Sequence, residues 1–158
     1  MAAVSYKPVG THNVTPYLTV AGADKAIAFY KAVFNAEERF SMPGPDGLVM
    51  HAEIQIGDAV VMISDARPEW QCPGPAPTGV VGFCCHVFVP DVDATFKKAL
   101  ANGGKELMPP MDMFWGDRFG KFQDPFGHQW SVATHQRDLT PEQIMEDQKK
   151  FFANCKPQ

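Results

Sequence analysis

"FYKAVFN" at residues 29–35 and "FKKALAN" at residues 96–102 carry Phe, Lys, Ala and Asn at the same four places. The two copies lie 67 residues apart, counted from Phe29 to Phe96. Apolar residues around both copies recur at the spacing that one face of an α-helix requires. They are Ala26, Phe29, Tyr30 and Val33 in the first copy, and Val92, Phe96 and Leu100 in the second. The repeat therefore predicts two helices of one duplicated unit.

Strands are predicted on both sides of the first helix. "TPYLTV" (15–20) precedes this helix and is rich in residues that favour strands. "MHAEIQI" (50–56) and "AVVMIS" (59–64) follow it and flank Gly57-Asp58, a signal for a two-residue hairpin. The first copy therefore reads as strand, helix, and then two or three strands.

The second helix has the same surroundings. "CCHVFV" (84–89) precedes it, and "RFGKFQ" (118–123) and "HQWSVAT" (128–134) follow it around the sequence "DPFG". Asp, Pro and a final Gly in that order are typical of a type I turn that ends in a left-handed glycine. We expect Asp91 to cap the start of this helix.

Two βαβββ modules indicate an α+β fold. Neither half can bury its own sheet alone, so the two modules must form together. We expect the modules to form one cupped mixed sheet with helices outside. The predicted boundaries are 12–66 for the first module, 67–79 for a Pro-rich surface linker, 80–136 for the second module, and 137–158 for a C-terminal helix. Thr140, Pro141 and Gln143 form the capping-box pattern at the start of that last helix.

Composition excludes several classes of function. Hydrophobic residues make up 45% and charged residues 20% of the 158 residues, which is typical of a soluble globular protein. The net charge of −4 and the absence of a basic block argue against a nucleic-acid partner. No apolar run approaches a membrane span, and the first ten residues lack a secretion signal. We therefore expect a cytoplasmic protein whose four cysteines are free thiols.

The modules and two sequence patterns resemble a known family. The helix pattern "FYKAVF" (29–34) and the stretch "DMFWGDRFGKFQDPFGHQW" (112–130) resemble the vicinal oxygen chelate superfamily. This superfamily includes glyoxalase I, fosfomycin- and bleomycin-resistance proteins and extradiol dioxygenases. The likeness spans about residues 12–136 and is strongest to the PhnB-like branch. It implies a cup-shaped site, a homodimer, and a divalent metal held at four matched strand positions.

The metal positions are where the sequence departs from the family. Carried over by counting along the strands, they are Thr15, Met62, Cys84 and Ser131. Metal ions of this superfamily are held by His, Glu or Gln, and divalent Mg, Mn, Fe and Ni prefer oxygen and imidazole ligands. We therefore expect no cofactor at the usual site, and a divalent metal only at a non-standard one.

Side chains that alternate along the strands define the predicted cup. Hairpin pairing places His51 and Glu53 on the same face as Met62. This pair is open to three readings: a solvated polar pair, an acid/base or ligand-binding pair, or a displaced metal site shared with His86. Taken alone, a histidine such as His86 is more often a hydrogen-bonded core residue. The predicted site consists of catalytic His51 and Glu53, with ligand-binding Tyr17, His86, Phe88, Trp115, Asp117, Phe119 and Lys121.

The register of the last hairpin decides part of this set. A three-residue loop places Lys121 on the face of Ser131, whereas a four-residue loop presents Arg118 instead. We favour Lys121.

Three functions fit these residues. The first is metal-independent binding of a small, partly aromatic molecule in the cup. The second is a metal-dependent lyase, isomerase or dioxygenase with relocated ligands. The third is a non-catalytic module that binds a protein partner. The sequence leaves open whether the protein is an enzyme.

Overall fold

The computed structural model describes residues 5–75 and 81–154. The elements run β1 (Tyr17–Val20), α1 (Ala23–Phe34), β2 (Glu37–Pro43), β3 (Val49–Ile56), β4 (Ala59–Asp65), β5 (Cys84–Phe88), α2 (Val92–Ala101), β6 (Lys105–Asp112), β7 (Asp117–Gln123), β8 (Gln129–His135) and α3 (Pro141–Asn154). A short 3-10 helix, Pro68–Trp70, follows β4. None of the helices in the described ranges is long and apolar enough to cross a membrane.

The strands form two four-stranded mixed sheets in an α+β arrangement, which confirms the duplicated module. The strand orders are β1-β4-β3-β2 and β5-β8-β7-β6, so the second sheet repeats the first. In each sheet the first strand is parallel to the last strand of its module, and the remaining pairs are antiparallel. The chain divides into two compact units, one per sheet, and the turn Pro125–His128 groups with the first unit.

The apolar faces of the helices are mostly as predicted. Ala26, Phe29, Tyr30 and Val33 of α1 are all buried. Val92 and Phe96 of α2 are buried as well, whereas Leu100, predicted on the same face, is 37% exposed. Leu100 lies at the edge of the buried face of α2, which is formed by Val92, Thr95, Phe96 and Ala99.

Both predicted hairpin registers are confirmed. Ile56 pairs with Ala59 across the Gly57-Asp58 turn, and Glu53 pairs with Met62 further along. In the second module Lys121 pairs with Ser131, which is the favoured register. Gly127 closes that turn with φ 99°, a left-handed conformation that glycine adopts without steric cost.

The sequence allowed a third strand after each helix but did not locate it; this strand is β2 in the first module and β6 in the second. Every residue of β2 is exposed, so it lacks the alternation of apolar and polar residues that marks a half-buried strand. Strand β6 contains Pro109 and Pro110, and its pairing with β7 shifts register between Met108 and Met111. Proline cannot donate to a sheet ladder, so it is confined to edge strands and bulges such as this one.

The two modules anchor their first helices differently. The N-cap residue of α1 is Gly22, which has no side chain to cap the helix. Asp65 at the end of β4 replaces it, accepting hydrogen bonds from the backbone N–H groups of Gly22 (2.8 Å), Ala23 (3.0 Å) and Val49 (2.7 Å). A carboxylate is stabilising at a helix N-terminus, where backbone donors are unpaired.

In the second module two side chains share that task. The predicted N-cap Asp91 accepts a hydrogen bond from the backbone N–H of Ala94 (2.9 Å). The hydroxyl of Thr134 accepts one from Val92 (2.9 Å) and donates to the carbonyl of Val89 (2.9 Å).

The connecting and C-terminal segments follow the sequence closely where they are described. Residues 68–73 of the Pro-rich linker are exposed, while the last residues of that linker lie outside the described ranges. The capping box of α3 is formed, because Gln143 and Thr140 bond each other's backbone N–H groups at 2.8 and 3.3 Å. The described cysteines are free: Cys72 is exposed, and Cys84 and Cys85 are half-buried. Cys155 lies outside the described residues.

Candidate functional site

The first unit carries its candidate residues on one face of its sheet. Along β3, Ala52 and Ile54 are fully buried, whereas the side chains of His51 and Glu53 retain 25% and 21% exposure. Alternation along the strand therefore turns His51 and Glu53 away from the buried face. Tyr17 on β1, which pairs with Met62 of β4, is 53% exposed.

These side chains form a connected network, here called the tyrosine–histidine network: Tyr17, His51, Glu53 and Arg39. The phenol oxygen of Tyr17 lies 3.0 Å from Nδ1 of His51, which is a hydrogen bond. Nε2 of His51 lies 3.7 Å from Oε1 of Glu53, within ion-pair range but longer than a hydrogen bond. The guanidinium of Arg39 lies 3.9 Å from the other oxygen of Glu53. Three of these residues were predicted from the sequence, and Arg39 was not.

In the second unit, the imidazole of His86 occupies the strand position that Tyr17 occupies in the first unit. His86 pairs with Ser131 on adjacent parallel strands, and Nδ1 of His86 lies 2.8 Å from the Ser131 hydroxyl. The Cys84 thiol lies 3.6 Å from the same hydroxyl. His86 is hydrogen-bonded but exposed, so the reading of it as a core histidine was wrong. It lies on the exposed side of β5, together with Phe88.

Aromatic rings surround His86 and define what we call the aromatic face: His86, Phe88, Trp115 and Phe119. The ring of Phe88 meets His86 edge-on with centroids 4.7 Å apart, and Phe88 is 63% exposed. Phe119 lies nearly parallel to His86, with an interplanar angle of 15° and centroids 6.0 Å apart. Trp115 packs edge-on against Phe119 at 5.6 Å. Such open, clustered rings offer a stacking surface to a flat molecule.

Asp117, predicted to contact a ligand, is hydrogen-bonded to His135 instead. Its carboxylate is buried and lies 2.7 Å from Nδ1 of His135, while Nε2 of His135 lies 3.0 Å from Asp138. The hydrogen bond to Asp117, then that to Asp138, raises the pKa of His135 above its usual value. These two hydrogen bonds of His135 were not predicted from the sequence, since His135 falls at the end of the strand and Asp138 lies beyond it.

The last hairpin separates the two basic residues that the sequence left open. Lys121 lies on the face of Ser131 and is half-buried. Arg118 is bound elsewhere, with two bonds to Asp93 at 2.6 and 2.8 Å and one to Asp112 at 3.1 Å. These bonds raise the pKa of Arg118 and lower that of Asp93.

The residues at the four family metal positions do not fit a divalent ion. They offer a hydroxyl, a thioether, a thiol and a second hydroxyl, from Thr15, Met62, Cys84 and Ser131. Divalent Mg, Mn, Fe and Ni favour carboxylate and imidazole ligands over these groups. Throughout the described ranges, no three His, Cys, Asp or Glu side chains are grouped so that they could hold a metal ion.

Comparison with known proteins places this geometry in context. A sequence model of the Glyoxalase/Bleomycin resistance protein/Dioxygenase superfamily matches residues 11–132. "Uncharacterized protein Mb0911c" of Mycobacterium bovis is 38% identical over 135 residues, covering 83% of this chain and 88% of the relative.

Solved structures share the fold at lower identity. The PhnB protein of Bacillus cereus superimposes with a TM-score of 0.62 at 22% identity, covering 78% of this chain and 99% of that one. The fosfomycin resistance protein FosX of Listeria monocytogenes, complexed with Mn(II) and sulfate ion, gives a TM-score of 0.60 at 19% identity, covering 85% and 97%. At these identities the likeness extends to the fold alone.

Proposed function

Since this chain belongs to the Glyoxalase/Bleomycin resistance protein/Dioxygenase superfamily, we propose that it binds a small, partly aromatic molecule without a divalent metal ion. The aromatic face of the second unit supplies the stacking surface. The observation that carries the proposal is the exposed imidazole of His86 in contact with the rings of Phe88 and Phe119.

The chemistry of this face supports a ligand with both a flat apolar part and a polar group. Phe88 and Phe119 offer ring faces and edges, which favour offset or edge-on contacts with another aromatic ring. The Nδ1 atom of His86 is engaged by Ser131 at 2.8 Å, which fixes the ring plane. Nε2 of His86 then serves as the polar contact, donating or accepting according to the tautomer.

The donor set at the family metal positions supports the metal-free part of the proposal. A ligand held by stacking and one imidazole needs no Lewis acid to bind. A relocated metal site remains the competing hypothesis, and it would require ligands outside Thr15, Met62, Cys84 and Ser131.

The test is binding of a library of small aromatic acids and phenols to chelator-treated protein. Trp115 lies 5.6 Å from Phe119, so its fluorescence reports on the aromatic face. Replacing the exposed Trp70 with Phe removes a background signal from the linker. We expect at least one compound to bind with a Kd of about 1 mM or lower, roughly −4 kcal/mol.

Matched variants distinguish stacking from general stickiness. Phe88→Ala should weaken binding about tenfold or more, since a stacked ring contributes roughly 1 to 3 kcal/mol. Phe83→Ala is the control, because Phe83 is similarly exposed at 54% but precedes β5 and lies outside the aromatic face. Equal losses in the two variants, or binding that appears only after Mn(II) or Zn(II) is restored, would reject the proposal.

A further inference from the structure

The tyrosine–histidine network of the first unit has the arrangement of an activated nucleophile. A nucleophilic hydroxyl is recognised by a base within hydrogen-bond reach and a third group that orients the base. Tyr17 and His51 are 3.0 Å apart, and Glu53 lies 3.7 Å from the far nitrogen of the imidazole. We propose that Tyr17 is a reactive phenol that takes acyl or sulfonyl groups from activated compounds. This proposal does not rest on ligand binding by the aromatic face.

The tautomer of His51 follows from its neighbours. A carboxylate beside Nε2 favours the proton on that nitrogen, because the N–H dipole then points at negative charge. Nδ1 is left as the acceptor of the Tyr17 hydroxyl proton. When that proton is transferred, the carboxylate of Glu53 stabilises the resulting imidazolium. Arg39 lies 3.9 Å from the other oxygen of the same carboxylate.

The surroundings leave the phenol open to a reagent. Tyr17 is 53% exposed, whereas the side chains of His51 and Glu53 are largely covered. The ring of Phe40, itself 50% exposed, lies 6.3 Å from the ring of His51. An apolar flank beside an exposed hydroxyl favours an acyl compound that has an apolar substituent.

The reaction balances without an added oxidant or reductant. With an arylsulfonyl fluoride, the Tyr17 oxygen attacks sulfur, the S–F bond breaks, and fluoride departs with the electron pair. The phenol proton passes to Nδ1 of His51. With an activated ester, the same oxygen attacks the carbonyl carbon and the acyl C–O bond breaks. The alkoxide or phenoxide departs with the electron pair and takes the proton that His51 received from Tyr17.

The chain provides its own matched control. Tyr6 is more exposed than Tyr17, at 86%, and its hydroxyl bonds the amide oxygen of Asn13 at 3.2 Å, which is not a base. Accessibility alone therefore predicts faster labelling of Tyr6. An imidazole acting as base predicts the opposite, since general-base assistance accelerates such steps by two or more orders of magnitude in favourable sites.

The experiment is timed labelling of the full chain with an arylsulfonyl fluoride, followed by peptide mass spectrometry. We expect Tyr17 to be labelled at least about tenfold faster than Tyr6. His51→Gln should reduce the rate at Tyr17 to that at Tyr6 without changing Tyr6. Glu53→Gln should give an intermediate rate, because it removes only the group that stabilises the imidazolium.

Two results would overturn the proposal. One is a wild-type rate at Tyr17 no greater than that at Tyr6. The other is an unchanged Tyr17 rate in His51→Gln. If His51→Gln fails to fold, which loss of cooperative urea unfolding would reveal, Glu53→Gln carries the test.

Discussion

Tyr17 pairs with Met62 on the parallel strands of the first module, and His86 pairs with Ser131 at the equivalent place in the second. Both partners are displaced by 69 residues, from 17 to 86 and from 62 to 131. The backbone position is therefore repeated while the chemistry is not. In the first module a phenol contacts an imidazole, which in turn lies near a carboxylate. In the second module an imidazole contacts phenyl rings.

The contrast shows which parts of a duplicated module are free to diverge. Strand pairing and buried helix faces recur because each sheet must bury one face. Side chains on the other face contribute little to that burial, so they can acquire separate roles. Asp65 is an intermediate case, because it lies in the scaffold and yet its counterpart, Thr134, is a different residue.

The largest expected effect concerns these two scaffold positions. Asp65→Ala should lower the free energy of unfolding by about 3 kcal/mol or more, since three backbone N–H groups lose a charged acceptor. Thr134→Val should cost about 1 kcal/mol, because Asp91 still caps α2. Urea unfolding followed by circular dichroism measures both changes.

Asp58→Ala, in the exposed Gly57-Asp58 turn, is the control and should change stability by less than about 0.5 kcal/mol. Equal losses in Asp65→Ala and Thr134→Val would show that the two modules anchor their helices with equal strength after all.

The next effect contrasts a thiol of each unit. Burial, followed by the influence of Cys84 and Asp124, raises the pKa of the Cys85 thiol from 9.0 to about 11. The thiolate is the reactive form, so alkylation of Cys85 at about pH 8 should be on the order of 100-fold slower than in the urea-unfolded chain. Cys72, exposed in the linker of the first unit, should react early.

Iodoacetamide labelling of a Cys155→Ser variant with peptide mass spectrometry checks this order. Cys85 reacting as fast as Cys72 in the folded chain would contradict the burial of its sulfur.

The smallest effect is a pH dependence confined to the second unit. The raised pKa of His135 means that its bonds to Asp117 and Asp138 contribute stability that is complete below the ordinary histidine value of about 6.5. That contribution is lost as the pH rises through the folded-state pKa. The first module has Val49 and Ala66 at the corresponding places, and neither residue titrates.

The urea concentration at the unfolding midpoint should therefore decrease as the pH rises above about 6.5, and His135→Gln should make that decrease smaller. His12→Gln, at an exposed loop histidine, should leave the slope unchanged. If the urea midpoint changes with pH equally in the wild type and His135→Gln, the bonds of His135 to Asp117 and Asp138 are not the cause of that change.

Local patterns in the sequence were sufficient for much of the fold. The repeated helix motif, the Gly57-Asp58 turn and the "DPFG" turn predicted the modules and both hairpin registers, because each depends on neighbouring residues. Strand β2 was not located from the sequence, because both of its faces are exposed and it therefore lacks an alternating apolar pattern. Asp65 was not identified either, although a strand that ends in Asp beside a helix that begins with Gly22 is a signal for a cap supplied from another element.

The candidate site was less accessible to sequence reasoning. Alternation placed His51 and Glu53 on one face correctly, because it follows from the strand period. The partners of those side chains depend on contacts between distant segments. Arg39 reaches Glu53 from β2, and Asp117 binds His135 rather than facing a ligand freely. No local pattern specifies such pairs.

The carboxylate of Asp65 also bears on how long the native state persists. It joins backbone groups 43 and 16 residues away, at the starts of α1 and β3. Bringing such distant segments together costs loop-closure entropy, so we expect these bonds to form late in folding. Interactions absent from the transition state slow unfolding rather than accelerate folding. We therefore expect this one side chain to lengthen the lifetime of the folded first unit while leaving its folding rate almost unchanged.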